Sequence, residues 1–555
     1  MKGLTISSVL CWTTLFVPFV ASAALPEQAS EIHGRQVPNQ PKGVKEIWSP
    51  DGFRIRYKEP GKEGVCETTP GVNSYSGYVD LGFDSHTFFW FFEARHDPAN
   101  KPVTLWLNGG PGSDSLIGLF QELGPCNITE DLKSKVNPYS WTEVSNLLFL
   151  SQPVGVGFSY EKKQVGSMNN FTESIEPPEV NGITGRWPKI TPSKIETTKQ
   201  AAKATWNVVQ AFYKALPRLD GKITSKSFNL WTESYGGHYG PTFFRYFEEQ
   251  NKLIDQGRAH GVKLDFNTLG IINGLIDIAI QAPQYIEYAQ KNTYGIHPLN
   301  ETVINYMKMA NSMPNGCQDQ VAVCRLLNRT SLVPYSYCSG AQSMCRDNVE
   351  GMWYSFTDRG VYDIRHPRED PTPPDYFVDY LNQAEVQNAL GVDFNYTRTS
   401  NPEIFAAFGR TGDWGYPDFI EDLEAILEMP VRVTLMYGDA DYICNWFGGE
   451  AVSLAVNYTH AEKFRAAGYA PLLVDGIEYG QIREYGNFSF SRIYEAGHEV
   501  PYYQPLASLQ YFNRTLNGWD IATGQVKVDG NYGTSGPQRS THTEPYVPLP
   551  SETGS

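Results

Sequence analysis

Beyond its first two dozen residues, this 555-residue chain has no apolar run approaching the ~20 residues of a membrane-spanning helix. Positive charge is scarce: 45 Lys and Arg stand against 61 Asp and Glu, a formal net charge of -16 at pH 7. Nucleic acid and anionic membrane surfaces attract basic chains, so neither is expected as a partner. No internal repeat is visible, and no His/Cys cluster has metal-ligand spacing. Neither a metal nor an organic cofactor is therefore expected. Residues 548–555 are polar, so no glycolipid-anchor tail is expected either. Cysteine is sparse, at eight.

What is present describes an exported globular chain. The apolar fraction of 41% and aromatic fraction of 13% support a substantial core. The length allows one large domain with an insertion, or two or three domains. Lys2, the apolar stretch 4–20 and Ala21-Ser22-Ala23 have the layout of a cleavable signal peptide over residues 1–23. Eight Asn-x-Ser/Thr sequons follow, at Asn127, Asn170, Asn300, Asn328, Asn395, Asn457, Asn487 and Asn513. Together with the leader they predict a secreted, extracellular glycoprotein. Removing Cys11 with the leader leaves seven cysteines, an odd count with one free thiol in an oxidising compartment. The equal spacing within Cys317/Cys324 and within Cys338/Cys345 suits a nested pairing. Cys317–Cys345 around Cys324–Cys338 would staple a hairpin-like excursion, leaving Cys66–Cys126 paired and Cys444 free. Spacing alone leaves other connectivities open.

The apolar pattern divides the chain. Residues 24–50 are polar and contain proline, as a pro-segment or an extended arm would. Short apolar runs alternate with helical patterns over 51–279 and resume over 426–521, which predicts two parts of one α/β core with a mostly parallel sheet. Residues 280–425 are rich in Tyr, Asn and Pro and hold the four spaced cysteines; an insertion, mostly helical and lying over the sheet, is predicted. Residues 522–555 are polar and rich in Gly, Ser, Thr and Pro, the composition of a loosely ordered tail.

The chemistry centres on Phe228-Asn229-Leu230-Trp231-Thr232-Glu233-Ser234-Tyr235-Gly236-Gly237. An apolar strand runs into a serine, then two glycines, then a helical segment, the layout of a nucleophile elbow. Thr232 stands where that pattern usually has glycine. Tyr437-Gly438-Asp439-Ala440-Asp441 places two acids just past another strand, and Gly497-His498-Glu499 places a histidine just past the last one. Ser, Asp, His is the α/β-hydrolase order, and sites in open α/β sheets gather at the C-terminal strand ends. A serine hydroxyl needs a neighbouring imidazole to remove its proton, and that imidazole needs a carboxylate to hold its tautomer. Asn108-Gly109-Gly110 offers backbone donors for a developing oxyanion, each worth roughly 3–4 kcal/mol of barrier.

The blocks Trp106-Leu107-Asn108-Gly109-Gly110-Pro111-Gly112, Glu122-Leu123-Gly124-Pro125, Gly155-Val156-Gly157-Phe158-Ser159-Tyr160, Glu233-Ser234-Tyr235-Gly236-Gly237, Gly438-Asp439-Ala440-Asp441 and Gly497-His498-Glu499-Val500-Pro501 resemble the serine carboxypeptidase family, most of all its secreted fungal members. The resemblance implies an α/β-hydrolase fold whose insertion forms a lid. It implies Ser234 as nucleophile, His498 as base and Asp441, rather than Asp439, as acid. It further implies an oxyanion hole from the amides of Gly110 and Tyr235. Asn108, Glu122 and Glu233, with the Gly109 amide and Trp106, would hold the C-terminal carboxylate of a peptide or protein substrate. Ile443 and Cys444 would line the penultimate-residue pocket, and Glu499 would face the leaving residue. Two neighbouring acids against an anionic substrate must share a proton, so an acidic optimum is expected. The sequence departs from the family's pattern at Ser113, where many members have a bridged cysteine, and at Ser151, where an acid is common. Some relatives transfer acyl groups to alcohols, but an ester donor needs no carboxylate clamp, and the intact Asn108, Glu122 and Glu233 favour peptides.

Overall fold

Six short apolar runs build the middle of a twelve-stranded sheet. The computed structural model of the chain describes residues 37–82, 84–169, 175–177, 183–327, 332–370, 372–396 and 399–550. In it, Asn146–Leu150, Val103–Leu107, Ser227–Glu233, Asp265–Ile272, Arg432–Gly438 and Phe488–Ile493 lie side by side in that order, all parallel. They read as continuous hydrophobic stretches because both faces are covered. Successive side chains feed opposite faces. Leu105 and Leu230 enter one core with helices Thr198–Leu219 and Gly236–Asp255. Trp106 and Trp231 enter the other with helix Pro505–Leu516, whose Phe512 stacks on Trp141 at 4.0 Å. Each such side chain, fully buried, contributes about 1.5–3 kcal/mol, so these two layers carry the fold.

Antiparallel strands finish both edges. Lys45–Trp48, Arg54–Lys58, Ser74–Asp80 and His86–Phe92 extend one side, and Ile477–Tyr485 and Ala470–Val474 the other. Residues 45–48, expected in a pro-segment or arm, are thus the outermost strand of the sheet. The leader and residues 24–36 lie outside the described residues.

The insertion is helical, beginning with Ile278–Lys291, Glu301–Ser312, Cys317–Leu326 and Leu332–Cys345. Cys317–Cys345 and Cys324–Cys338 pin the last two helices together, so the stapled excursion is a helix pair. Cys66–Cys126 is the third bridge, and Cys444 is free and buried. Apart from the main sheet stands a small antiparallel one, Lys162–Met168 with Ile175–Glu176 and Ile183–Lys189.

Two sequence expectations need correction. Residues 522–550 contain no helix or strand, but they are not loosely attached. The Tyr469 amide donates to the Pro537 carbonyl at 2.8 Å and Arg483 to the Gln538 carbonyl at 2.6 Å. A polar composition did not reveal partners that sit dozens of residues back along the chain. Asn395 is 2% exposed, with its side-chain oxygen accepting from the Arg186 amide, so this sequon is closed to a glycan. The Asn487 amide nitrogen is also engaged, donating to the carbonyls of Leu427, Met429 and Val431. Asn300 and Asn457 are exposed. Asn127 and Asn513 are half-buried, and Asn170 and Asn328 lie outside the described residues.

Candidate active site

Strand Ser227–Glu233 turns into helix Gly236–Asp255 within two residues, and Ser234 takes φ 64° to do it. That left-handed conformation costs a non-glycine residue roughly 1–2 kcal/mol. Bonds on both sides hold it: the Ser234 amide donates to the Ile272 carbonyl, and the Ser234 carbonyl accepts from Gly237 and Leu275. The turn is tight enough to require glycine at two places. A Cβ on Gly236 would stand 2.6 Å from the Thr232 Cβ, and one on Gly237 2.4 Å from the Leu275 carbonyl oxygen. Thr232, the departure from the elbow pattern, fits because Gly236 leaves the space, and its hydroxyl donates to the Gly236 carbonyl at 2.8 Å. The helix begins at Gly236, directly after the serine turn, so the Tyr235 amide sits at the positive end of a 20-residue helix.

The loop after strand Val103–Leu107 packs directly on this elbow. A Cβ on Gly109 would lie 2.3 Å from the Tyr235 amide nitrogen and 2.6 Å from the Glu233 carbonyl oxygen. Gly110 follows at φ 103°. The missing cysteine bridge at Ser113 has a replacement: Ser113 pairs with Ser400 as an antiparallel bridge, hydroxyl to hydroxyl at 2.5 Å. Next to it, the buried Asp114 carboxylate accepts from the Ser151 and Tyr396 hydroxyls, each at 2.8 Å. The acid absent at Ser151 is therefore supplied from across the same contact, by Asp114. Burial pushes Asp114 up to about 6, against the bonds it accepts.

His498 and Asp441 meet at 2.8 Å, imidazole Nδ1 to carboxylate Oδ2, with 3% and 0% of the residues exposed. Burial disfavours the imidazolium, but the Asp441 carboxylate outweighs it, and the net shift is upward. The same Asp441 oxygen accepts from the Asn273 side chain at 2.7 Å, whose own oxygen accepts from the Gly438 amide. In the sequence, the only signal for Asn273 is a polar residue just after the apolar run that ends at Ile272. Cys444 lies in the same cluster. Its sulfur, a His498 ring nitrogen and an Asp441 oxygen are within 4.8 Å of one another. Burial pushes its thiol well above the ordinary range, which keeps it protonated.

A second polar cluster adjoins Ser234. The Asn108 amide donates to Glu233 at 3.0 Å and to Glu122 at 3.3 Å. The Asn108 oxygen is itself fixed by Trp106 Nε1 at 2.7 Å and the Gly118 amide at 3.0 Å. Burial, reinforced by mutual repulsion with Glu122 and Glu499, drives Glu233 well above the usual carboxylate range. Burial likewise raises Glu122, to about 7. Two buried carboxyls this close share a hydrogen bond and a proton, and the pair can donate to an incoming carboxylate.

One cavity of about 410 Å³ takes in Asn108, Gly109, Gly110, Glu233, Ser234, Tyr235, Ile443, Cys444, His498 and Glu499. Glu122 and Trp106 stand behind its wall and act on it through Asn108 and Glu233. The insertion supplies the far side, including Glu350, Tyr362, Phe405 and Trp414. Arg346 lies 4.5 Å over the Trp414 ring and 3.5 Å from Glu350. No helix among the described residues is long and apolar enough to cross a membrane.

Residues 60–518 match the family model described as serine carboxypeptidase. The chain is 41% identical over 537 residues to "Carboxypeptidase S1 homolog A" of Arthroderma otae, covering 89% of this chain and 81% of that protein. It is 39% identical over 461 residues to "Carboxypeptidase S1" of Penicillium janthinellum, covering 83% of this chain and 99% of that protein. The crystal structure of Kex1(Δ)p, a prohormone-processing carboxypeptidase from Saccharomyces cerevisiae, superposes with a TM-score of 0.67 at 20% identity. It covers 88% of this chain and 100% of its own, a likeness of fold.

Proposed function

The chain belongs to the serine carboxypeptidase family and is a serine-type carboxypeptidase, and from that premise we propose that it removes C-terminal residues from peptides and proteins in an acidic extracellular setting, through an acyl-enzyme on Ser234. The observation that carries this reading is the Asn108–Glu122–Glu233 cluster opening into the same cavity as Ser234. The cluster binds the substrate's terminal carboxylate and thereby sets the last peptide bond, and no other, against the serine.

The proposed steps are those of a serine hydrolase, with this chain's residues in each role. His498 takes the Ser234 proton as the hydroxyl attacks the scissile carbonyl, and Asp441, steadied by Asn273, stabilises the imidazolium. The amides of Gly110 and Tyr235 receive the oxyanion, the latter aided by its helix terminus. His498 returns the proton to the leaving amine. Water then repeats the sequence to free the acyl group. Ile443 and Cys444 border the penultimate side chain, and Glu499 faces the leaving residue, where an acid favours Lys or Arg. Glycans on the exposed Asn300 and Asn457 fit the exported chain.

A peptide with a free C-terminus and its amidated twin test the reading in one experiment. Loss of the last residue from the free form alone, abolished in Ser234→Ala, is expected; equal release from both forms removes the clamp. For Glu499, peptides ending in Lys and in Leu are compared in Glu499→Ala, and an unchanged Lys-to-Leu ratio removes its role.

A further inference from the structure

The tail beyond residue 518 lies outside the stretch that matches the family, yet it is bonded to the parts of the chain that carry the proposed acid and base. Two buried arginines receive it. Arg492, 1% exposed, donates on the tail side to the His542 carbonyl at 2.7 Å and the Ser540 hydroxyl at 2.8 Å. On the core side it donates to the Thr293 hydroxyl at 3.0 Å and the Asp439 carboxylate at 3.4 Å. Arg359, 3% exposed, donates to the Tyr546 hydroxyl at 2.9 Å and the Val547 carbonyl at 3.0 Å. It also closes its own turn on the Ile364 carbonyl at 3.0 Å.

Arg359 opens a segment, 359–364, without helix or strand, and this segment is wedged between the two catalytic loops. The Val361 carbonyl accepts the amides of Tyr442 at 3.0 Å and Ile443 at 3.1 Å, the residues that follow Asp441. The Ile364 amide donates to the Ala440 carbonyl, just before Asp441, at 2.9 Å. The Tyr362 carbonyl accepts the His498 amide at 2.8 Å, and its ring lies 5.0 Å from the imidazole. The wedge thus bonds to the chain on either side of Asp441 and to His498 itself. Its own ladder is a single antiparallel bridge, Arg359 with Pro367, closed by the Gly360 amide on the His366 carbonyl, so the Arg359 side chain adds a further fastening at the start of the segment.

We propose that Arg359, locked by tail residues 546–547, is a positioning residue that sets the Asp441–His498 pair, with Arg492 fastening the same tail to the Asp439 end of the acid's loop. The tail is then a strap of the catalytic apparatus rather than a spacer. This rests on the reading of Ser234, Asp441 and His498 as the triad. Displacing a catalytic group by about 1 Å can cost on the order of a hundredfold in rate without touching substrate binding.

The test uses the full-length chain with Arg359→Met, which keeps apolar bulk, and Arg359→Lys, which keeps one donor. Wild type and Ser234→Ala run alongside on a free C-terminal peptide. Arg359→Met is expected to lower kcat about tenfold with KM within about twofold, and Arg359→Lys to fall between it and wild type. A folded Arg359→Met with wild-type kcat, whatever its melting temperature, overturns the proposal. If Arg359→Met does not accumulate, Tyr546→Phe decides, since it removes one bond from a side that is half in solvent. A kcat lowered about twofold or more at unchanged KM supports the strap, and an unchanged kcat overturns it. An active Ser234→Ala would sink the triad reading and the strap with it, whereas an unaffected Arg359→Met removes the strap alone.

Discussion

Glu233 and Ser234 are chain neighbours with opposite electrostatic requirements. Ser234 needs a neutral His498 to take its proton, and the Asp441 carboxylate holds that imidazole above the ordinary histidine value. Low pH therefore reduces kcat. Glu233 and Glu122 need their shared proton to greet a carboxylate, and burial holds Glu233 well above the carboxylate range and Glu122 up to about 7. High pH therefore raises KM. The two limbs produce an optimum from opposing trends in kcat and KM. For wild type, KM of a free peptide should rise tenfold or more between about pH 5 and about pH 8, as the pair ionises and repels the substrate. In the double variant Glu122→Gln/Glu233→Gln, which cannot ionise there, the same steady-state series should change less than about threefold. A wild-type-like rise in that variant would assign the KM limb to another group. Asn273 shows where residue-level reading stops: an asparagine at a strand end has many uses, and only its 2.7 Å contact to Asp441 selects one.

At the scale of elements, the elbow depends on a loop it does not contain. The Asn108–Gly112 turn must stay pressed against Tyr235, and the structure holds it from the far side. Ser113 pairs with Ser400, Asn401 donates to the Gly112 carbonyl, and Asp114 ties Ser151 and Tyr396 together. Three separated segments meet on one buried acid. Asp114→Ala should leave the Ser151 and Tyr396 hydroxyls without their acceptor in a dry site, a loss of about 2–4 kcal/mol in denaturant unfolding. Since Gly110, a proposed oxyanion donor, lies on the same loop, kcat should fall with it. Asp114→Asn, which keeps an acceptor and the shape, should recover most of the stability. Equal losses in both variants would show that the ionised acid is required instead. Ser113 and Ser151 stand in the sequence as two unrelated departures, and in the structure they flank one contact, Ser113 on Ser400 and Ser151 on Asp114.

The whole molecule is acidic, and many of its buried acids titrate high, while for Asp80, Glu93 and Asp520 burial is outweighed by the donors or cations that hold them, and they are lowered. Burial raises Glu122 to about 7 and Asp114, Asp220 and Asp422 to about 6, while Glu233, Glu350 and Glu499 also move up. An acid whose folded value exceeds its unfolded one binds more protons when folded. Its stabilising contribution is complete below the unfolded value near 4.5 and is lost as pH rises through the folded value. Glu122 and Glu233, sharing a proton, contribute in this direction as one titrating pair. The melting temperature should therefore be highest near about pH 4–5 and decline toward about pH 8. A melting temperature that climbs across that range in scanning calorimetry would refute it. The net charge of -16 adds self-repulsion in the same direction. These titrations favour the acidic setting proposed above.

Sequence pattern set the parallel core and the helical character of the insertion, offered the nested disulfides as one pairing among several, and nominated residues for the site. Those properties are local: two-residue and 3.6-residue periodicity, a turn that only glycine fits, and blocks of chain around each strand end. Tertiary structure alone decided which polar residues touch. It paired Asp441 with Asn273, moved the missing acid of position 151 to Asp114, closed Asn395, and turned a polar tail into a strap across the loops. Each of those rests on a hydrogen bond between residues far apart in the chain, and no pattern in the order of residues records which distant donor a buried acceptor will meet.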